Sequence, residues 1–322
     1  MGSQLQSPIP ALGLVTGEAL LNLYPVLIKS VPVDLLTHTT LRLLTTALVC
    51  FPLTTIPLGQ IHFSSHLVSL LYLVHVWSSY IGFRVLNVGV AMTLFYLYPI
   101  FNVLLHDLLL VHTLPHVQTL GYCLVSLIGV FLISSSSSSA SSSTSSSTSS
   151  STSSSASSST SSSASSSVPT PTSHLPSKIT GLLSIGVAAL SESIIYLFFK
   201  SSLETNPFNM LFQLSLTGMI IMGGVKVWSM WRNRSSSSSM WLSGSHIAQI
   251  IGINAILGVV GYLLRITSIS YLSTAWYSIL SFSGVIFAYL YGWGIYGEPI
   301  TRSKIVGTLL ILWSAFQVKF VI

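Results

Sequence analysis

The chain has 322 residues, 50% of them hydrophobic and 6% charged, with a mean hydropathy of +0.76 and a net charge of +6. A water-soluble domain carries about 25% charged residues, so this composition excludes a soluble enzyme or binding module and points to a surface solvated by lipid. The positive balance does not point to nucleic acid, because the basic residues stand singly at the ends of apolar runs and no basic patch is interleaved with aromatics; topology-setting charges are distributed in this way.

A helix crosses the hydrocarbon core in about 20 apolar residues and bonds its own backbone while doing so. Ten stretches qualify: 9–29, 34–57, 66–84, 88–111, 116–134, 179–200, 207–230, 245–265, 270–296 and 303–321. The first carries Glu18 at mid-helix and ends at Lys29. An ionisable group at bilayer depth is costly, so it faces a cavity or a partner and is a functional candidate; a structural ion pair is the competing reading. The second holds Arg42, with His38 one turn before it. Arginine there either clamps a carboxylate or phosphate or snorkels to the interface. The third ends at Arg84. The fourth contains Tyr96, a side chain that can stack on or hydrogen-bond a ligand, and closes on His106-Asp107. No further acid or cysteine stands at metal-ligand spacing from that pair, so no metal is expected. Cys50 and Cys123 lie within apolar runs and read as packed thiols, not a disulfide.

Residues 134–167 are only Ser, Thr and Ala. Such a tract buries too little apolar surface to offset chain entropy, and 134–178 is expected to be a disordered linker, with phosphorylation or O-glycosylation as an alternative role. It separates a first unit, 1–133, from a second, 179–322. The sixth stretch repeats the theme of the first, with Glu192 mid-helix, Tyr196 one turn on and Lys200 at its end. The eighth ends at Arg265, the ninth contains Tyr277, and Glu298 stands in a Gly-Glu-Pro turn that reads as structural.

A shift of 181 positions places Arg84 on Arg265, Thr93 on Thr274, Tyr96 on Tyr277 and Phe101 on Phe282. Five crossings is an odd number, so two similar five-helix units must be inverted relative to each other. Inverted repeats typify secondary transporters, whose sites lie between the repeats. Lys178, Lys226, Arg232, Arg234, Arg302 and Lys304 fall on one side of such a chain, against Lys319 on the other. The positive-inside rule makes the first side cytoplasmic and puts both termini outside. A glycan on the sequon Asn233-Arg234-Ser235 would reverse that orientation.

The stretch Leu272–Phe316, with Tyr291-Gly-Trp-Gly-Ile-Tyr-Gly-Glu298-Pro-Ile-Thr301 and then Gly307, resembles the drug/metabolite transporter superfamily, most closely its EamA-type members. Ala91–Leu104 resembles the matching helix of the first half through Tyr98-Pro99-Ile100-Phe101, while His112 departs from the family's common Glu. Ser191-Glu192 with Lys200-Ser201 is similar to the first helix of small multidrug-resistance proteins, in which a membrane-embedded Glu binds protons and cations. The resemblance implies an all-α membrane protein of about ten transmembrane helices in two inverted five-helix repeats. It implies a carrier, not an enzyme, working without a cofactor, and does not name the substrate.

The substrate-binding candidates are therefore Glu18, Arg42, Tyr96, Glu192, Tyr196, Lys200, Arg265 and Tyr277. Glu18 and Glu192 would bind protons or cationic groups; Arg42 and the paired tyrosines would orient a small polar metabolite. A nucleotide-sugar or sugar-phosphate antiporter using Lys200 and Arg265 is the nearest alternative, and a non-transporting scaffold or receptor-like protein is the alternative of another class. The expected partners are a small-molecule substrate and membrane lipid, without nucleic acid and with a homodimer left open. Plasma membrane and endomembrane (Golgi or ER) are both compatible with the sequence.

Overall fold

The computed structural model describes residues 8–29, 31–55, 63–113, 117–139, 178–202, 206–232 and 244–318. The serine tract beyond Ser139, the sequon at Asn233 and Lys319 lie outside them. All regular structure among the described residues is helical. The helices are α1 (Pro8–Lys29), α2 (Leu35–Cys50), α3 (Phe63–Val85), α4 (Val88–Phe95), α5 (Tyr98–Leu109), α6 (Val117–Ser139), α7 (Lys178–Ser201), α8 (Pro207–Arg232), α9 (Gly244–Ile253), α10 (Val260–Tyr271), α11 (Thr274–Ser281), α12 (Ser283–Tyr296) and α13 (Arg302–Val318).

Among the described residues seven stretches are long and apolar enough to cross a membrane: Pro8–Leu27, Ser65–Val85, Val90–Leu109, Lys178–Ser201, Pro207–Arg232, Gly244–Tyr271 and Trp276–Tyr296. Their outward faces are apolar, with Leu12, Leu67, Ile179, Leu183, Val227 and Trp231 all exposed. Such a belt is unsuited to water and fits lipid. Two shorter helices, α2 with 16 residues and α13 with 17, pack alongside these.

Two long apolar stretches are broken in the middle. Pro99 sits in the first turn of α5, where its missing N–H removes a helix bond and its ring disfavours the helical conformation before it. The chain accordingly breaks between Phe95 and Tyr98. A second break falls at Phe282, between α11 and α12. A third irregularity, the π-helical segment Asn254–Val259, joins α9 to α10.

The end of the 245–265 stretch needs correction. The helix continues to Tyr271, so Arg265 is an interior, 3% exposed residue and not a helix-end anchor. Ser268, in the expected link, lies within the helix and donates its hydroxyl to the Leu264 carbonyl at 2.7 Å. Polar residues in the link looked like a boundary, but their hydrogen-bonding needs are met inside the helix.

Close contacts across the molecule use glycine where no side chain fits. A Cβ on Gly129 of α6 would meet the Gly307 carbonyl of α13 at 2.5 Å, and one on Gly307 would meet the Gly129 carbonyl at 2.5 Å. Elsewhere α1 packs on α10 and α12, α3 on α7 and α8, α2 on α8, and α5 on α7. These contacts bring the middles of α1, α2, α3, α7 and α10 around one interior point.

Candidate functional site

At that point stands Arg265, with one carboxylate from before the serine tract and one from after it. Its Nη1 lies 2.7 Å from Glu192 Oε1 and its Nε 3.2 Å from Glu18 Oε1. All three side chains are at most 6% exposed. A guanidinium shared between two carboxylates satisfies each with charge-assisted bonds, the arrangement a buried ion requires.

Tyrosines complete the shell. Tyr96 and Tyr98, on either side of the α4–α5 break, both donate to Glu18, Tyr98 at 3.0 Å. Asn22, one turn after Glu18, donates to the Tyr96 hydroxyl and to the Glu18 carbonyl. Tyr262 donates to Glu192 Oε2 at 2.9 Å, and Tyr277 accepts from Arg265 Nε at 2.9 Å. The Arg265 guanidinium lies 4.4 Å above the Tyr98 ring, within cation–π range. His75 of α3 reaches the same cluster, with Nε2 3.4 Å from Glu192 Oε2. Its Nδ1 donates to the Ala188 carbonyl at 3.0 Å.

The break in the fourth span makes this possible. It turns two consecutive tyrosine positions, 96 and 98, inward onto one carboxylate, which a straight helix with residues 200° apart cannot do. Gly284, just after the second break, leaves room for the Tyr96 ring; a Cβ there would collide with its hydroxyl.

Beside the cluster is a cavity of about 40 Å³, lined by Glu18, Arg42, His75, Tyr96, Tyr262 and Arg265 among others. Arg42 is 7% exposed and stacks over the Tyr24 ring at 4.6 Å. The cavity is far smaller than the roughly 300–1,000 Å³ of small-molecule pockets.

Of the residues nominated from sequence, Glu18, Tyr96, Glu192, Arg265 and Tyr277 are in direct contact within the cluster. Arg42 lines the adjoining cavity, and Tyr196 joins through its ring, 4.8 Å from that of Tyr277. Lys200 stands apart, donating to the carbonyls of Ile269 and Leu272 at the end of α10. Arg84, the positional match of Arg265, likewise stands apart, donating to the Val33 carbonyl. His75, Tyr98 and Tyr262 were not nominated. Tyr98 belongs to the run Tyr98-Pro99-Ile100-Phe101, and a polar residue flanked by apolar ones is the only sequence signal for His75.

Comparisons with known proteins agree with this architecture. Residues 179–319 match the model of the EamA-like transporter family. No curated protein matches the chain. A solved structure described as "Crystal structure of protein" is similar with a TM-score of 0.58 at 12% identity, covering 97% of this chain and 96% of that one. At that identity the likeness concerns the fold alone.

Proposed function

Through residues 179–319 the chain belongs to the EamA-like transporter family, within the drug/metabolite transporter superfamily, and on that premise we propose that this multi-pass membrane protein is a secondary carrier for a small polar metabolite. The observation that carries the reading is the Glu18–Arg265–Glu192 bridge. It joins α1, in the first unit, to α7 and α10, in the second, beside a cavity at the centre of the molecule.

Alternating access between inverted five-helix units is the mechanism we infer. Exchanging the two units in the contact pattern maps α1 on α10 to α7 on α3, and maps α2 on α8 and α6 on α13 onto themselves. The fourth and ninth predicted spans are both interrupted at mid-length. Interrupted helices in corresponding positions of two halves are what transporter sites are built from. Glu18 and Glu192 are the exchangeable carboxylates; Tyr96, Tyr98, Tyr262 and Tyr277 hold them and Arg265 in place. A sugar-phosphate exchanger is less well supported, because Arg265 is already shared by two carboxylates and Lys200 caps α10.

Counterflow in liposomes tests the reading. Purified protein preloaded with a mixed pool of polar metabolites should accumulate labelled members of one class. Glu192→Gln and Glu18→Gln should each reduce the rate by at least tenfold. Equal counterflow in both variants would remove the carboxylates from the mechanism.

A further inference from the structure

Arg42 is a buried cation whose immediate neighbours are neutral. Its guanidinium lies 4.6 Å from the Tyr24 ring centroid, 5.7 Å from that of Tyr262 and 5.9 Å from that of Tyr80. The hydroxyls of Tyr24 and Tyr72 also face it. Among the described residues no carboxylate lies within ion-pair distance of it, since Glu18 and Glu192 both bind Arg265. A cation held in low dielectric without a direct counter-ion is strongly attractive to an anion that can reach it.

His75 shows a second vacancy. A carbonyl only accepts, so the bond to Ala188 fixes the hydrogen on Nδ1. Tyr262 has one hydroxyl hydrogen, which lies nearer Glu192 Oε2, at 2.9 Å, than His75 Nε2, at 3.2 Å from the hydroxyl oxygen. In a neutral imidazole the Nε2 lone pair then faces Glu192 Oε2 at 3.4 Å with no hydrogen between them. One added proton on Nε2 turns that opposition into a charge-assisted bond. The charged groups around His75 are Glu192 from α7, Arg265 from α10, and Arg42 and Glu18 from α2 and α1 across the cavity. Tyr262 and its own-helix neighbour Tyr72 are the titratable hydroxyls beside it. The helix α8 meets α3 nearer its start, through Gln213 and Thr217 against Ser65 and His66.

With His75 neutral, the two carboxylates and two guanidinia of the cluster cancel. Net charge at bilayer depth is costly, so a monoanion loads favourably only if one positive charge comes with it. From this we propose that the cavity binds a small carboxylate anion at Arg42 and that each anion is accompanied by one proton on His75. A carboxylate matches the planar guanidinium fork, whereas a phosphate dianion would bring two charges to a site with one proton seat. The proposal rests on the carrier reading and adds the charge of the substrate and the identity of the coupling ion.

The test uses liposomes holding the full chain, with protein-free liposomes as background. Labelled lactate and pyruvate are compared with lactamide and with propylamine. Lactate or pyruvate should enter and lactamide should not. The half-saturating concentration of the acid should fall as pH is lowered from 8 to 6, by up to about tenfold per unit, since one proton and one anion bind in mutual support. A voltage imposed with valinomycin should leave that uptake unchanged. Arg42→Gln should raise half-saturation at least tenfold, with Arg42→Lys retaining part of the binding. His75→Gln should flatten the pH dependence while still melting cooperatively, a result that a purely structural role for His75 does not give. Uptake of the amide or the amine in place of the acids, or an unaltered pH dependence in His75→Gln, would overturn the proposal and leave the carrier reading standing. Failure of every polar solute, these and the mixed pool alike, to cross with cooperatively melting protein would remove both.

Discussion

Arg265 holds the cluster together, and its removal is the most damaging single change at the level of the residue. Substituting it leaves Glu18 and Glu192 buried and facing each other without a cation. Breaking a buried ion pair from one side costs about 3–5 kcal/mol. Arg265→Gln should therefore lower the melting temperature of the detergent-purified protein more than any substitution on the lipid-facing surface. Arg265→Gln combined with Glu18→Gln should regain part of that loss, because one unpaired charge goes with it. If the double variant melts below the single one, the bridge is not what stabilises the centre. How legible this cluster was depended on the residue. Glu18 and Glu192 announced themselves, because a carboxylate in the middle of an apolar run has few structural excuses. Arg265 was mislocated, since a charge followed by Thr and Ser looks like the end of a span. His75 and Tyr262 escaped notice for a different reason: their partners lie 117 and 70 positions away from them in the chain, at Glu192. No local spacing encodes such a contact.

At the level of the helix, two contacts between the units make distinct predictions. The α6–α13 pair rests on Gly129 and Gly307, each of whose absent side chains would strike the other's backbone. Close approach through small residues is how helices associate where lipid removes the hydrophobic drive. Gly307→Leu should separate this pair and cost about 1–3 kcal/mol, the usual penalty of overpacking, read as a fall in melting temperature. Gly121, where a Cβ would meet nothing, should accept Ala without loss. The second contact is the start of α2. Asp34 accepts from the Thr37 backbone at 2.9 Å and lies 3.7 Å from Lys226 of α8. Burial raises its carboxyl, but the Thr37 bonds and Lys226 outweigh it and hold it below the usual value. A depressed carboxyl contributes stability that is complete above its unfolded value, about 3.9, and is lost as pH falls through the lower folded value. Asp34→Ala should cost about 1 kcal/mol at pH 7, mostly as a lost cap, because the half-exposed Lys226 pair adds little. The gap between wild type and variant should hold from pH 7 to 5 and begin to narrow below about pH 4. The apolar runs are local signals for the helices, but the fourth and ninth stretches read as unbroken spans, although Pro99 is a local signal in the first of them. No proline marks the break at Phe282, where the backbone bends between Ser281 and Ser283.

For the whole molecule the open quantity is the number of crossings, and it bears directly on the inverted-repeat reading. Ten crossings put the start of α1 and the end of α13 on the same side of the membrane. Seven crossings, the number of stretches among the described residues that are long and apolar enough by themselves, put them on opposite sides. Both counts place the start of α7 opposite the start of α1, because an odd number of crossings precedes it either way. The helices outside that count, α2, α6 and α13, decide the matter. Each packs on a helix of the other unit, α2 on α8 and α6 on α13. A helix of 16 residues rises about 24 Å, which a tilted bundle with local bilayer thinning can accommodate. We expect ten. Single cysteines at Ile9, Ile179 and Phe316, all exposed positions, in a background lacking Cys50 and Cys123, would be probed with a membrane-impermeant maleimide in intact cells and in inverted vesicles. Ile9→Cys and Phe316→Cys should react from one side, and Ile179→Cys from the other, the side of Lys178 and the cytoplasm. Reaction of Ile9→Cys and Phe316→Cys from opposite sides would leave an unequal pair of units, and two unequal units cannot be exchanged by the pseudo-twofold that alternating access between repeats requires.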